Sequence, residues 1–496
     1  MKCKVRLEPA GKEYEVAYNT PLRDILLQHG FEFPCGGRGV CGNCKVRVLS
    51  GHIKAEGIHA QILEAKRLDR DWRLACYSYI TEDVTLYTNS SNQVVTTDHL
   101  KLAMTPEKGL GIAVDLGSTT IVSQLVNLSD GHVISTATSP NPQSQYGADI
   151  ISRISYALSS QTNAACLCQI VRNAIYKQIN QLLSDNKYNV RKVVIVGNTV
   201  MHHLFCGFNV APLSAFPFQS EHNEGKEYQP ADLGWQEAID CPVWFMPNLG
   251  HFVGSDILAG IEAIQMHKQE RFQALIDLGT NGEIAIGNKK RIVYTSTAAG
   301  PAFEGINISQ GMKASEGAIY QINETNGNVQ TIGNTKPVGI CGSGLIEAVH
   351  WLLKKGEVDC TGATANNQTF LPIYGEIGLT DKDIREFQLA KAATRTGMDI
   401  LLQKANLSYN DIEHIYISGG LGNYLNIEKA ISVGLFSNEC QNKVIRMGNS
   451  ALHGAKIFLF DTSKKDMRNI ANITEYCALE LHPDFQDIYC NNLLFP

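Results

Sequence analysis

Four cysteines in the first part of the chain have the spacing of a metal-binding site. Cys35, Cys41 and Cys44 fall within ten residues, and Cys76 follows after 31 intervening residues. Four glycines lie between Cys35 and Cys44. A loop with so few Cβ atoms can curl tightly around an inorganic centre and point its backbone N–H groups at the sulfur atoms. These residues therefore predict thiolate ligation of a metal centre.

The cysteine spacing, C-x5-C-x2-C followed by a distant fourth cysteine, matches the layout of a [2Fe-2S] ferredoxin. The first interval is one residue longer than in the plant-type loop. The alternative is a structural zinc site, but four-cysteine zinc sites usually pair two CxxC knuckles, and Cys76 has no partner at that spacing. We expect a [2Fe-2S] cluster on these four thiolates and interpret the other ten of the fourteen cysteines as core or surface residues.

Two later segments suit the binding of an anion: residues 115–120 (DLGSTT) and residues 277–282 (DLGTNG). In each, a predicted strand turns sharply at glycine and presents N–H groups and hydroxyls, while its aspartate can hold Mg²⁺ directly or through water. One such loop is more often a plain hairpin, because Asp and Gly favour turns. Two copies that face each other across a cleft could clamp the β- and γ-phosphates of a nucleotide.

A third glycine-rich segment, residues 419–422 (GGLG), is predicted at the end of another strand, where it opens a helix. Close backbone approach there leaves room for the nucleoside and the α-phosphate. The hydrolytic base is not assigned by spacing, and Glu283 and Glu304 are candidates by chemistry alone. The residues expected to bind Mg²⁺ or the nucleotide are Asp115, Gly117, Ser118, Thr119, Thr120, Asp277, Gly279, Thr280, Asn281, Gly282, Gly419, Gly420, Leu421 and Gly422.

The elements that must position the cysteines predict a β-grasp module over residues 1–88. Alternating strands and short helices precede and follow the cysteine loop. A polar stretch with turn formers at both ends, residues 89–108, predicts a linker. The predicted elements of the module are strands at 4–8, 13–17, 45–49 and 84–87 and helices at 22–29 and 61–70.

The rest of the chain, residues 109–496, reads as an internal duplication with lobes at about 109–270 and 271–496. Each lobe begins with one of the Asp-x-Gly hairpins and later has a buried-type strand that ends in glycine, at 193–198 and 415–420. Helical stretches precede these two strands, at about 150–183 and 384–403. Two similar α/β lobes that face one another would bring four strand ends to one cleft.

Composition is that of a globular protein of several domains: 496 residues, 44% hydrophobic, 19% charged and a net charge of −6. We expect no nucleic-acid partner, since no basic stretch stands out. We also expect no membrane association, because apolar runs are too short to span a bilayer. The amino-terminal residues alternate polar and apolar types instead of forming a secretory signal, so we expect a cytoplasmic protein.

Residues 115–120, 277–282 and 419–422 resemble the two phosphate motifs and the adenosine motif of the superfamily of actin, sugar kinases and heat-shock chaperone ATPases. With a ferredoxin fused ahead of that fold, the whole chain resembles the reductive activators of corrinoid-dependent enzymes. Further stretches similar to that family are VGNT at 196–199, GPAFEG at 300–305, CGSG at 341–344 and LFP at 494–496. The resemblance implies an α/β fold with an N-terminal β-grasp ferredoxin domain and a duplicated, two-lobed domain of the ribonuclease-H-like, actin-like ATPase type.

The resemblance also implies a function. Such a protein would hydrolyse ATP and transfer one electron from its [2Fe-2S] cluster to the cob(II)alamin form of a corrinoid protein or a cobalamin-dependent methyltransferase, restoring cob(I)alamin. It would take its electrons from an upstream donor, and Asp115 and Asp277 would organise Mg²⁺. Longer relatives carry an extra domain that contributes to dimerisation, and here only the linker fills that place. A homodimer and a monomer therefore both remain open.

Three alternatives share some of these motifs. An actin-superfamily small-molecule kinase would use the same nucleotide loops but gain nothing from an iron-sulfur domain. An electron-transfer module with a vestigial nucleotide site would have the cluster but no nucleotide affinity. The activators of hydroxyacyl-CoA dehydratases use the same ATPase fold, but they hold a bridging [4Fe-4S] cluster between subunits instead of a fused ferredoxin.

Overall fold

The computed structural model describes residues 2–8, 11–27, 44–65, 68, 70–88, 106–147, 149–183, 189–216, 218–279, 281–421, 424–460 and 464–496. Most of the cysteine loop and most of the predicted linker lie outside these ranges. Within them, no helix has the length and apolarity that crossing a bilayer requires.

The first module is a β-grasp fold, as predicted. Its five-stranded sheet has the order β2-β1-β7-β4-β5, with β1 and β7 parallel and the other neighbours antiparallel. Alternation decides which face is buried: Cys3, Val5 and Leu7 point into the core, while Lys4 and Arg6 point outward. The elements are β1 (Lys2–Glu8), β2 (Lys12–Ala17), β3 (Thr20–Pro21), α1 (Leu22–Leu27), β4 (Lys45–Ser50), α2 (Ile58–Ala65), β5 (Trp72–Leu74), β6 (Tyr79–Ile80) and β7 (Val84–Thr88).

The first lobe is built on a six-stranded sheet of order β10-β9-β8-β11-β13-β12. The helical stretch expected at 150–183 is two helices, because Ser160 adopts an extended backbone and its hydroxyl caps the second helix at the Asn163 N–H. The elements are β8 (Leu110–Leu116), β9 (Thr120–Asn127), β10 (Val133–Pro140), α3 (Ile150–Ser159), α4 (Gln161–Leu182), β11 (Val190–Gly197), α5 (Thr199–Cys206), β12 (Lys226–Tyr228), α6 (Pro230–Leu233), β13 (Val243–Phe245) and α7 (Ser255–Ala263).

The second lobe has a six-stranded sheet of order β23-β22-β14-β15-β16-β24. Its first elements are β14 (Phe272–Leu278), β15 (Gly282–Gly287), β16 (Ile292–Thr297), β17 (Ala318–Ile322), β18 (Val329–Thr331), β19 (Gly339–Ile340), α8 (Gly342–Lys354), β20 (Phe370–Tyr374), β21 (Ile377–Thr380) and α9 (Asp381–Ala405). The remaining elements are β22 (Ile412–Ser418), α10 (Ile427–Ser432), β23 (Val444–Gly448), α11 (Ser450–Phe460), α12 (Lys464–Ile473), β24 (Thr474–Tyr476) and α13 (Phe485–Leu493).

The two lobes share one topology. Each lobe begins with three antiparallel strands, β8 to β10 in the first lobe and β14 to β16 in the second. Later in the lobe, β11 pairs in parallel with β8, and β22 pairs in the same way with β14. A further parallel strand lies beside each of these: β13 beside β11 and β23 beside β22. Because parallel strands end at the same edge of a sheet, the Asp-x-Gly turns lie beside the ends of β11 and β22. This arrangement confirms the predicted duplicated α/β fold.

A shared core joins the lobes where α7 crosses α11. Side chains from both sheets and from both helices contribute to it, among them Val194, Leu275 and Leu452. The helices approach very closely at Gly454, where an added Cβ would overlap the backbone of Ala259. The lobes are therefore packed directly on one another at the base of the cleft.

The segment after α12 closes the second lobe. β24 pairs in parallel with β16, and Phe495 is buried against Phe387. The Lys391 ammonium, on α9, donates to the carbonyl oxygens of Asn492 and Leu494 at 2.8 and 2.6 Å. Residues 474–495 are thus an integral part of this lobe.

The β-grasp module docks on the second lobe through the outward face of its sheet. Lys45 Nζ donates to the carbonyl oxygens of Ser309, at 2.6 Å, and Ile308, at 3.4 Å. The Tyr87 hydroxyl donates to the carbonyl oxygen of Glu316 at 3.2 Å. The module and the lobe are therefore in direct contact.

Candidate functional site

The first Asp-x-Gly hairpin presents its turn to the cleft between the lobes. Gly117 N–H donates to the carbonyl oxygen of Thr120, which closes the turn, and a Cβ on Gly117 would lie 2.7 Å from that oxygen. The turn is held from behind, since the Arg153 guanidinium donates to the Ser118 carbonyl at 2.6 Å. The Ser118 hydroxyl accepts from Asn198 Nδ2 at 3.0 Å. The hydroxyls and N–H groups of this turn therefore line the cleft on a fixed backbone.

The second hairpin is one residue shorter than the first. Leu116 pairs with Ile121 across the first turn, whereas Leu278 pairs with Gly282 across the second. Gly282 therefore belongs to the strand, where an added Cβ would meet the Thr297 hydroxyl, and it packs behind the cleft instead of facing it. Asp277, Gly279 and Asn281 line the cleft, and Thr280 lies outside the described residues.

The ends of β11 and β22 complete the floor of the cleft. Asn198 follows β11, where its side chain caps α5 and holds Ser118. Gly419 follows β22 with φ at +94°, and an added Cβ would lie 2.6 Å from the carbonyl oxygen of Leu278. Glycine is therefore required at this turn.

The glycine-rich segment does not open a helix directly, contrary to the sequence prediction. Gly420 and Leu421 line the cleft, Gly422 lies outside the described residues, and the next helix begins only at Ile427 with Asn426 as its cap. One helix that begins at the cleft is α8, whose first residue Gly342 packs so tightly on the Phe303 carbonyl that a Cβ would overlap it. The cavity enclosed by these elements has a volume of about 270 Å³.

Four carboxyl groups line the cleft and influence one another electrostatically: Asp115, Asp256, Asp277 and Glu283. Burial raises the pKa of Asp115 to about 7, although a hydrogen bond from Asn449 Nδ2 at 2.7 Å opposes the shift. Burial likewise raises the pKa of Asp256 to about 7, and the charges of Asp277 and Asp115 add to it.

The other two carboxyl groups shift in the same direction. Burial raises the pKa of Asp277, opposed by a hydrogen bond from the Ser418 hydroxyl at 2.9 Å. Burial and the neighbouring Asp256 and Asp277 raise the pKa of Glu283 well above its ordinary value. Carboxylates crowded in this way favour protons or a cation, so the chemistry of the donor set fits a divalent cation bound together with phosphate.

Several cleft residues were missed by the sequence analysis. Asp256 lies at the start of α7, Asn449 just before α11, and Lys313 in a long loop of the second lobe. Cys341, interpreted from the sequence as a core residue, is buried but also lines the cleft. The sequence offered one signal for Asp256: a carboxylate at the start of a helix, in Gly-Ser-Asp at 254–256.

The cysteine site is described in part. Cys35 and Cys41 lie outside the described residues. Cys44 immediately precedes β4, Cys76 lies in the 3-10 turn Ala75–Tyr77, and their sulfur atoms are 3.1 Å apart. The Cys76 N–H points at Cys44 Sγ over 3.5 Å, an orientation that suits sulfur ligands of an iron-sulfur cluster. The two described thiols therefore fit a shared metal centre.

Comparison with protein families matches nearly the whole chain. Residues 5–81 match the 2Fe-2S iron-sulfur cluster binding domain, residues 110–269 the middle region of RACo, and residues 271–496 the C-terminal, ASKHA domain of RACo.

Two curated relatives cover most of the chain. The corrinoid activation enzyme RamQ of Eubacterium limosum is 32% identical over 417 residues, which is 78% of this chain and 70% of the relative. The [Co(II) methylated amine-specific corrinoid protein] reductase of Methanosarcina barkeri is 26% identical over 392 residues, 72% of this chain and 71% of the relative.

A solved structure, the reductive activator for corrinoid, iron-sulfur protein, matches over 100% of this chain and 98% of its own. Its TM-score is 0.72 and its sequence identity 27%. The agreement includes the ferredoxin module, both lobes and their order along the chain. This chain belongs to the family of reductive activators of corrinoid proteins.

Proposed function

We propose that this protein uses the binding and hydrolysis of ATP to drive one electron from a [2Fe-2S] cluster to the cob(II)alamin of a corrinoid protein or methyltransferase, restoring cob(I)alamin. The observation that carries the proposal is the direct contact, in one chain, between a ferredoxin module and a cleft built from two phosphate-type hairpins. The names of the relatives, a corrinoid activation enzyme and a corrinoid protein reductase, support the choice of partner.

On the ferredoxin side, Cys35, Cys41, Cys44 and Cys76 would hold the cluster, which when bound supplies one low-potential electron. The buried Cys44 is fixed by its own backbone, because its carbonyl oxygen accepts from the Ala75 N–H at 2.8 Å. This bond ties the segment before β4 to the turn that carries Cys76. The backbone that carries the two described cysteines is thereby joined directly.

On the nucleotide side, the two hairpins would bind the phosphates from opposite lobes. Within the described part of the chain, no three acidic, histidine or cysteine side chains are placed to cage a metal ion by themselves. Mg²⁺ usually keeps several waters and is held by one or two carboxylates together with substrate phosphates. We therefore assign Asp115 and Asp277 to the water shell of a nucleotide-bound Mg²⁺, with Asp256 as a third acceptor.

Between the two candidate bases, the geometry favours Glu304. Glu304 lines the cleft, where its carboxylate accepts from the Thr119 hydroxyl of the opposite lobe at 3.4 Å. Glu283 is buried, and burial together with the neighbouring Asp256 and Asp277 raises its pKa well above the ordinary value. A raised pKa favours the protonated form, which cannot accept a proton from water, so Glu304 is the better acceptor.

ATP is needed because the electron moves uphill. The reduction potential of a plant-type cluster is about −400 mV. Each 59 mV by which the acceptor's potential lies below that of the donor lowers the equilibrium constant of a one-electron step about tenfold. The cleft offers the means to couple hydrolysis to this step, since the Thr119–Glu304 contact already joins the lobes.

The test is spectroscopic. The cluster-loaded protein, reduced by a chemical donor in place of the upstream protein donor, is mixed with a cob(II)alamin protein, and cob(I)alamin absorbance is followed with and without Mg-ATP. We expect ATP-dependent formation of cob(I)alamin, its loss in Asp277→Asn, and normal activity in Asp130→Asn, a substitution at an exposed turn of the first lobe. Cobalt reduction that is indifferent to ATP would instead indicate an electron-transfer module with a vestigial nucleotide site.

A further inference from the structure

One loop of the second lobe lines the cleft and also contacts the ferredoxin module. We call residues 303–316 the cleft-edge segment. Phe303, Glu304 and Lys313 line the nucleotide cleft. The carbonyl oxygens of Ser309 and Glu316, in the same segment, accept hydrogen bonds from the ferredoxin module. The same stretch of backbone therefore lies against both the nucleotide site and the electron carrier.

Hydrogen bonds and close backbone contacts join the two ends of the cleft-edge segment. Gly305 has φ at +73° and packs directly on the backbone of Met312, and the Gly311 N–H donates to the carbonyl oxygen of Ile308. The Met312 N–H donates to Ile340 in β19, the strand that leads into α8 at the cleft. The residues that line the cleft and the carbonyl groups that contact the module thus belong to one bonded loop.

The ferredoxin residues in this contact sit at the cysteine end of their sheet. Lys45 follows Cys44 directly, and the strand alternation turns its side chain away from the core that holds Cys44. Tyr87 points the same way from the neighbouring strand β7. An ammonium that donates to two carbonyl oxygens forms a charge-assisted contact, stronger than a neutral hydrogen bond.

The module also lies near the first lobe. The hydrogen bond from Cys166 raises the pKa of Tyr146, in the first lobe, to about 12, and the charge of Arg23, on α1 of the module, opposes that shift. A rotation of the lobes toward each other would shift the cleft-edge segment and so strain the contacts that the module makes with it.

We propose that Lys45 and Tyr87 form a latch that holds the ferredoxin module on the cleft-edge segment in the nucleotide-free protein, and that nucleotide binding releases it. The inference rests on the proposed function, because it assumes that the cleft closes on a nucleotide. Linkage makes the effect reciprocal: if nucleotide weakens the latch, loss of the latch strengthens nucleotide binding by the same factor. Lys45 is thus a positioning residue for the cysteine end of the module.

The test measures nucleotide affinity at a distance from the cleft. The dissociation constant for Mg²⁺ with a non-hydrolysable ATP analogue is measured by calorimetry on the full-length, cluster-loaded protein. We expect Lys45→Met to bind about fivefold more tightly than wild type, within the usual range of such couplings. Tyr87→Phe, which loses only its hydroxyl contact, should change in the same direction. The matched control is Lys4→Met, an exposed lysine on the same face of the sheet at the other end of β1.

A second readout follows the module itself. In small-angle scattering without nucleotide, Lys45→Met should have the larger radius of gyration that the wild-type protein acquires at saturating analogue. Unchanged or weaker analogue binding by both variants would overturn the latch, as would scattering of Lys45→Met identical to that of the nucleotide-free wild type. A wild-type protein that binds no analogue would instead refute the proposed function, and the latch with it.

Discussion

Asp115→Asn should stabilise the ligand-free protein while it removes nucleotide binding. Burial raises the pKa of Asp115 from its ordinary value of 3.8 to about 7, so at pH 8 the folded protein carries a charge that the cleft disfavours. The asparagine is neutral, and its side-chain oxygen can still accept the hydrogen bond from Asn449. The Asp115 charge therefore lowers the stability of the ligand-free protein, and the proposed cation would offset that cost.

The magnitude follows from the pKa shift. At about 1.4 kcal/mol per pH unit the shift corresponds to about 4 kcal/mol, and water in the open cleft reduces this to roughly 2 kcal/mol. Such a change raises the melting temperature of the lobes by about 4 °C. Between pH 4 and 7 the folded carboxyl binds more protons than the unfolded one, so wild-type stability falls as the pH rises and the penalty is complete above pH 7.

The assay is differential scanning calorimetry of the nucleotide-free protein at pH 5 and pH 8. Asp115→Asn should melt higher than wild type at pH 8, and the difference should shrink at pH 5. Asp130→Asn, which removes an exposed charge in the β9–β10 turn, serves as the control and should show neither effect. No gain at pH 8, or an equal gain in the control, would refute the argument that the cleft disfavours the Asp115 charge.

Three further substitutions probe other parts of the molecule. Cys76→Ala should abolish the visible absorbance of the reconstituted cluster, whereas Cys341→Ala, in the cleft between the lobes, should keep it. An unchanged spectrum in Cys76→Ala would exclude Cys76 as a ligand. Gly419→Ala should weaken nucleotide binding at least tenfold in calorimetry, because the new Cβ would strike the second hairpin, while Gly356→Ala, with positive φ but open space around it, should bind normally. Phe495→Ala should lower the stability of the second lobe by about 3 kcal/mol, seen as a lower melting temperature, and a change below about 1 kcal/mol would show that the buried ring contributes little.

Much of the architecture could be predicted from local patterns. The alternation in β1 and the repeated Asp-x-Gly turns indicated the β-grasp module and the duplicated lobes, because both signals come from residues adjacent in sequence. The break at Ser160 was missed, since a serine cap within a long helical pattern differs little from an exposed helical serine.

The cleft was predicted less completely. Asp115 and Asp277 have motifs, but Asp256, Lys313 and Asn449 reach the cleft only through the packing of the lobes. The sequences of the two hairpins align without a gap, and only the strand pairing shows that the turn of the second is one residue shorter. The docking of Lys45 on Ser309 joins residues 264 positions apart, and no local pattern encodes such a contact.

Residues 474–495, which complete the second lobe, affect the order in which the parts of the molecule can fold. The Thr295 hydroxyl donates to the carbonyl oxygen of Cys477, 182 residues later in the chain. The Lys391 ammonium donates to the carbonyl oxygen of Leu494, 103 residues later. Contacts so distant along the chain form late, because their loop entropy must be overcome first. During synthesis the ferredoxin module can fold as it leaves the ribosome, whereas both lobes wait for α11, and the second lobe also waits for residues 474–495. Chaperone demand should therefore concentrate on the two lobes.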